Sequence, residues 1–280
     1  MAEIKMRFPG GKPKALTLSY DDGVEQDIRL IEMMKNHGLK GTFNLNSGLY
    51  RDPETVYPPG TIHRRMTREQ VSGLYTKNGM EVAVHGLTHP FLEKLPTALC
   101  LQEVLKDREN LEKQFGVIVR GMAYPFGTFS DQVVEILKMA GIVYSRTVVS
   151  TGKFDLPTDW LRLPATCHHK DPRLMELAEE FVEAKQPRWG EPMLFYLWGH
   201  SYEFEADDNW DVMEQFAACT GGREDIWYAT NLEIYDYVTG YRNLVWSTDG
   251  KSVWNSSCQD IYLEADGEPV CVHSGERIVL

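Results

Sequence analysis

Short apolar strands alternate with amphipathic helices along most of this chain, and that alternation limits the fold more than any other feature. Alternating apolar and polar β-formers mark Ala15 to Tyr20 as a strand. Ile28, Leu30, Ile31 and Met34 then fall at helical spacing over 24–37, and Gly38 stands where a helix closes. Further strands are expected at Thr42 to Asn46, Glu81 to Val84, within Arg120 to Gly127, at Ile142 to Val149, at Trp160 to Thr166 and at Met193 to Trp198. Between them the sequence predicts helices over 67–79 (with capping-box spacing from Thr67 to Gln70), 97–115 and 130–141, and a proline-started helix from Asp171-Pro172. A parallel sheet wrapped by helices is the economical solution, and seven or so strands favour a distorted (β/α)7-type barrel over an open sheet.

The alternation runs to about residue 240, so 1–240 is read as the barrel. Residues 241–280 carry short strand-like pieces separated by Asp-Gly and Ser-Gly-Glu turns, the pattern of a small β appendage packed on the barrel or at its base. The proline-rich stretch 52–60 is too long for a simple connection and is expected to form a rim loop.

Charge and cysteine usage narrow the function classes. A net charge of -12 and a pI near 5.2 exclude non-specific nucleic-acid binding and an anionic membrane surface, because both need a basic face. The N-terminus lacks the apolar run of a leader, and no stretch of about 18 apolar residues occurs, so a soluble cytoplasmic chain is expected. Five scattered cysteines without a C-x-x-C read as reduced thiols.

Two motifs point to chemistry. Asp21-Asp22-Gly23 ends the first barrel strand, at the end of an α/β unit where active sites are built. His85-x-x-x-His89 follows the Glu81 to Val84 strand, and two imidazoles four residues apart can face one ion; a carboxylate would complete a three-ligand site with an open position. Each motif is weak alone. At two strand exits of one barrel they reinforce each other.

Ser19-Tyr-Asp-Asp-Gly23, His85-x-x-x-His89, Tyr124-Pro-Phe-Gly127, Asp159-Trp160 and Gly199-His200, in this order, resemble the five motifs of the polysaccharide deacetylase family (carbohydrate esterase family 4, the NodB-type domain) over residues 12 to 205. The resemblance implies one divalent metal held by Asp22, His85 and His89, with zinc the usual ion and cobalt, nickel or manganese as alternatives. It implies Asp21 as general base and His200 as general acid, roles that suit a carboxylate beside an activated water and an imidazole titrating near neutrality. It gives the Phe126 backbone N–H to the oxyanion, and Tyr124, Pro125, Trp160 and Trp198 to the substrate pocket. It gives Asp159, ahead of Asp155, the task of orienting His200. The implied reaction is hydrolysis of the acetyl group of an N- or O-acetylated sugar or glycan. A cyclic imide or ureide on the same barrel, or a carbohydrate-binding barrel without turnover, are the rival readings.

The chain departs from the family pattern at three places. Ala123 stands at the usual arginine position of the third motif, with Arg120 three residues too early; Gly86 replaces Ser or Thr; and Trp198 precedes Gly199-His200 where leucine is usual. Asn44 and Asn46 share a strand face and reach the site if that face is the interior. Cys167-His168-His169 are expected to point alternately to opposite faces, and Glu203 to Asp208 to form a solvated loop and helix start.

Overall fold

The computed structural model describes residues 3–184 and 190–280; Met1 and Ala2, part of the N-terminal stretch read above, lie outside the described residues. Strand β1 (Ile4–Arg7) precedes the barrel, whose strands are β2 (Lys14–Asp21), β3 (Gly41–Leu45), β4 (Glu81–Val84), β5 (Gly121–Ala123), β6 (Tyr144–Ser150), β7 (Leu163–Ala165), β8 (Cys167–His168) and β9 (Met193–Gly199). All pair in parallel, in the order β7-β6-β5-β4-β3-β2-β9-β8. The two ends of this path are one extended stretch interrupted only at Thr166, whose N–H donates to the Tyr196 carbonyl at 2.9 Å. Its first half pairs with β6 and its second with β9, which closes seven strand positions into the distorted (β/α)7 arrangement. A further parallel strand, β10 (Ile226–Tyr228), pairs with the start of β2 below the point where β3 joins it.

Helices α1 (Asp27–Asn36), α2 (Arg68–Leu74), α3 (Thr97–Phe115), α4 (Asp131–Met139), α5 (Leu174–Glu183), α6 (Tyr202–Ala206), α7 (Trp210–Thr220) and α8 (Asn231–Arg242) cover the strands. β2 shows why. Leu16, Leu18 and Tyr20 join the apolar core with Leu30, Ile31 and Met34 of α1. Thr17, Ser19 and Asp21 alternate with them and face the interior, where Thr17 bonds Asn231 and Ser19 bonds Asn44. The Thr67–Gln70 capping box forms at the start of α2, and Gly116 closes α3 in the left-handed region. The helix expected to start at Pro172 begins instead at Leu174, with Pro172 in the preceding turn.

After α8 come β11 (Val245–Trp246), β12 (Ser252–Trp254), β13 (Ile261–Ala265), β14 (Glu268–Val272) and β15 (Arg277–Val279). They form two antiparallel three-stranded sheets, one of which takes β1 as its third strand, so it draws on both ends of the chain. Val253, Ile261, Leu263 and Val272 share a core with Met6, Phe8, Ala15 and Tyr237, which seats this unit against the base of the barrel. All five cysteines are free. Among the described residues no helix is long and apolar enough to cross a membrane.

Candidate active site

Parallel strands put the residues that follow each strand at one end of the barrel, and that end collects the chemistry. Asp21 closes β2. Asn44, its register partner on β3, donates from Nδ2 to Asp21 Oδ1 at 2.8 Å, and Arg146 of β6 donates to Asp21 Oδ2. Arg146 is fully buried, with its guanidinium 4.3 Å over the Trp198 ring. Its register partner on β5 is Ala123, the position expected to carry the arginine. The cation therefore reaches Asp21 from the neighbouring strand at the same height. Arg120 pairs instead with Asp236 of α8. Burial raises the Asp21 carboxyl, but Arg146, His85 and His200 outweigh it and hold the group below the usual range.

Asp22, His85 and His89 bring one ligand atom each within 4.8 Å of the others. His85 is fixed three ways: its backbone N–H donates to Leu45 O at 3.0 Å and to the buried Asp107 carboxylate at 3.1 Å, and its Nδ1 lies 2.8 Å from Ala123 O. The carbonyl requires the proton on Nδ1, leaving the Nε2 lone pair facing inward. Burial lowers both imidazoles, His89 to about 4, so both are neutral, as metal ligands must be. For Asp22, burial is outweighed by the His63 hydrogen bond and by nearby positive charges, keeping it well below the usual carboxylate range. This donor set, two neutral imidazoles and an ionised carboxylate, fits a divalent ion of the zinc type.

The backbone is strained here. Asp22, His89 and Phe126 have φ of 83°, 55° and 59°, a region that costs non-glycine residues about 1–3 kcal/mol each. Between the histidines Gly86 sits at φ 76°, and an added Cβ would press on Pro90 at 3.3 Å, which accounts for glycine where the family prefers Ser or Thr. Asn46 ties this turn down, donating to the carbonyls of His85 at 2.6 Å and Gly86 at 2.7 Å.

His200 follows β9, and its Nε2 lies 3.9 Å from Asp21 Oδ2. The contact expected from Asp159 is not made. Asp159 precedes β7, so it lies at a strand start, towards the base; it caps the turn Trp160–Arg162 through Leu161 N–H at 3.0 Å and pairs with Arg162. Trp160 goes with it and packs edge-on against Tyr235 of α8, away from Asp21. The acid at His200 is Glu203 of α6, 3.2 Å from Nδ1, and not part of a solvated loop. His168 and His169 both come within 3.2 Å of that carboxylate, because the strand ends at His168 and no longer alternates beyond it.

Of the remaining expected pocket residues, Tyr124 is buried and donates to Leu161 O at 2.7 Å, Pro125 is buried at the start of its turn, and Trp198 lies beneath Arg146. Phe126 is half-exposed, stacked on Phe91 at 3.9 Å and edge-on to His89 at 4.4 Å. The segment that follows the rim loop adds two residues that the sequence did not single out: His63 Nε2 lies 3.2 Å and Arg65 Nη2 3.1 Å from the Asp22 carboxylate.

Residues 9–145 match the sequence profile described as polysaccharide deacetylase. The peptidoglycan-N-acetylglucosamine deacetylase PgdA of Listeria monocytogenes is 25% identical over 134 residues, 47% of this chain and 26% of that protein, so the chain spans about a quarter of the length of that curated relative. Two solved structures share the fold. A putative polysaccharide deacetylase from Mycobacterium smegmatis has TM-score 0.58 and 17% identity over 84% of this chain and 93% of its own. A family 4 carbohydrate esterase from Streptomyces lividans, in complex with acetate, has TM-score 0.50 and 14% identity over 77% of this chain and 91% of its own. Over residues 9–145 the chain is similar to the polysaccharide deacetylase family.

Proposed function

We propose that the chain is a metal-dependent hydrolase that removes the acetyl group of an N-acetylated or O-acetylated carbohydrate. The observation that carries this reading is the placing of Asp21: a buried carboxylate held ionised by Arg146 and Asn44, beside the Asp22, His85 and His89 donor set and facing His200. A divalent cation held by that set would polarise the acetyl carbonyl and bring the pKa of a water to roughly 7. Asp21, ionised and fixed at both oxygens, takes the proton from the attacking water. His200, kept protonated between two carboxylates, gives a proton to the leaving nitrogen or oxygen from Nε2. For His200 burial alone would lower the pKa, but the Glu203 hydrogen bond and the charges of Asp21 and Asp22 raise it. The Phe126 N–H, turned by its left-handed backbone, is assigned to the oxyanion.

Activity then needs Asp21 ionised and His200 protonated. With the first lowered and the second raised, the alkaline limb is expected above the ordinary histidine value of 6.5. Arg146 supplies beside Asp21 the cation that Ala123 lacks, so this departure from the family pattern does not by itself favour the cyclic-amide reading. The name of the Listeria relative points to N-acetylglucosamine as the first sugar to try. Acetate release from N-acetylglucosamine oligomers by the zinc-loaded chain tests the reading: turnover is expected, and Asp21→Asn is expected to lower it by roughly 10²- to 10⁴-fold. Equal turnover by wild type and Asp21→Asn would contradict the assignment of Asp21.

A further inference from the structure

The nitrogen atoms around Glu203 outnumber what one carboxylate oxygen accepts. Its Oε2 lies 3.2 Å from His168 Nε2, His169 Nε2 and His200 Nδ1, and 3.3 Å from the His200 backbone N. Its Oε1 is taken by Lys170 Nζ at 3.1 Å. His168, His200 and Glu203 even have the spacing of a second metal site, but the tautomer of His168 decides against one. His168 Nδ1 accepts the Lys170 backbone N–H at 3.1 Å, so its proton is on Nε2, the atom that faces Glu203. A protonated nitrogen is a donor and has no lone pair for an ion. The cluster is a set of donors gathered on one acceptor.

We propose that Glu203 is the positioning residue of the proton donor: it holds the Nδ1–H of His200, so that Nε2 is the nitrogen presented towards Asp21. This rests on the reading of His200 given under Proposed function. Three features fix the pose before substrate arrives. The His200 backbone N–H and ring Nδ1 approach the same oxygen, which ties ring and main chain to one atom. Lys170 bridges the other oxygen to Asp207, 2.7 Å away. Two residues further along α6, Glu205 is clamped by Arg64 at 2.7 Å and 2.9 Å and by Gln26 at 2.6 Å, so the short helix is pinned to the segment after the rim loop and to the residue that precedes α1.

The charge state agrees. Burial would raise the Glu203 carboxyl, but the His168, His169 and His200 imidazoles gathered on it hold it well below the usual range, so it is acceptor-only. His169, buried with its ring against Phe204 at 4.2 Å, has no well-aligned partner for either nitrogen and is pushed down to about 4, chiefly by burial. It therefore adds no charge to compete with His200. His168 does compete, because its Nε2–H shares Oε2 with His200 Nδ1–H.

Side-chain nitrogen NMR of the zinc-loaded full chain, with kinetics on the same samples, tests this. Wild type is expected to show the proton on His200 Nδ1 in the neutral ring. Glu203→Gln is expected to lower the His200 titration by about one pH unit and kcat by at least about tenfold, with KM and zinc content unchanged and the alkaline limb shifted down. Glu203→Asp should restore part of both. His168→Ala removes one competitor for Oε2 and is expected to move the His200 titration the opposite way, upwards. His200 resonances and kcat unmoved in Glu203→Gln, or a downward shift in His168→Ala, would overturn the proposal. A wild type that binds zinc but releases no acetate would defeat the reaction and leave the NMR comparison to decide Glu203.

Discussion

Both ends of the barrel bury charged groups, but they treat them differently. At the base, the Glu81 carboxylate is enclosed and fully served: Tyr144 OH donates at 2.6 Å, Thr42 Oγ1 at 2.7 Å and Leu232 N–H of α8 at 2.9 Å. Asn231 continues the network to Thr42, Thr17 and Tyr196, and among the described residues none of these polar side-chain atoms lacks a partner. At the mouth, Asn44 Oδ1, Arg146 Nε, Trp198 Nε1 and both His169 nitrogens are buried without one; towards the base, outside the Glu81 network, Trp160 Nε1 also lacks one. Strain follows the same division. Among the described residues, three of the five non-glycine residues with positive φ lie at the mouth, and the other two, Asp208 and Asp266, are in exposed turns. A polar network that only holds structure is saturated, whereas one that acts on a substrate keeps unmet hydrogen-bonding capacity and stored strain, and part of the fold's stability is given up there.

Arg146→Met should break the contrast most severely. Asp21 would be left buried without its cation, at a cost of about 3–5 kcal/mol if it stays charged. Protonation is its escape, so kcat/KM should fall at neutral pH and the acid limb should move to higher pH, because Arg146 is what holds Asp21 down. A pH–rate profile that keeps the wild-type acid limb would show that Arg146 does not set the state of Asp21.

A smaller effect of opposite sign is expected at the base. Burial raises Glu81 above its ordinary 4.5, so the folded chain holds that proton more tightly than the unfolded one, and stability is lost as pH rises above about 4.5. Asp21, Asp22 and Glu203 are lowered, so their contribution is present above the ordinary carboxylate range and lost on acidification. Glu81→Gln keeps an acceptor for Leu232 and Thr42, and its amide donates to Tyr144 once that hydroxyl rotates. Denaturant melts of this variant should gain on wild type with rising pH from about 4.5 to 7, with kcat unchanged. A stability difference that does not vary with pH would mean that folding does not raise the Glu81 carboxyl.

What could be read from the sequence follows from how the contacts are made. Asp21, Asp22, His85 and His89 sit in contiguous motifs directly after strands, so position along the chain fixes position at the mouth. Arg146 acts on Asp21 across 125 residues and through a β5–β6 register that no local pattern encodes. Its one signal was a charged residue inside an otherwise buried strand segment. Glu203 had a signal as well, an acid three residues after His200 at the start of a helix, but the run of acids around it read as solvated surface. Asp159 and Trp160 were misplaced because their motif lies before a strand and not after one. Closure of the barrel depended on a strand split at Thr166 between two neighbours, which strand periodicity does not reveal.

The central claim is that Asp22, His85 and His89 converge on one divalent ion. Metal analysis of the chain, purified without chelator and equilibrated with zinc, beside His85→Ala treated identically, tests it most directly. About one equivalent of zinc in the wild type and close to none in the variant is expected. No bound metal in the wild type, or the same content in both, would contradict it.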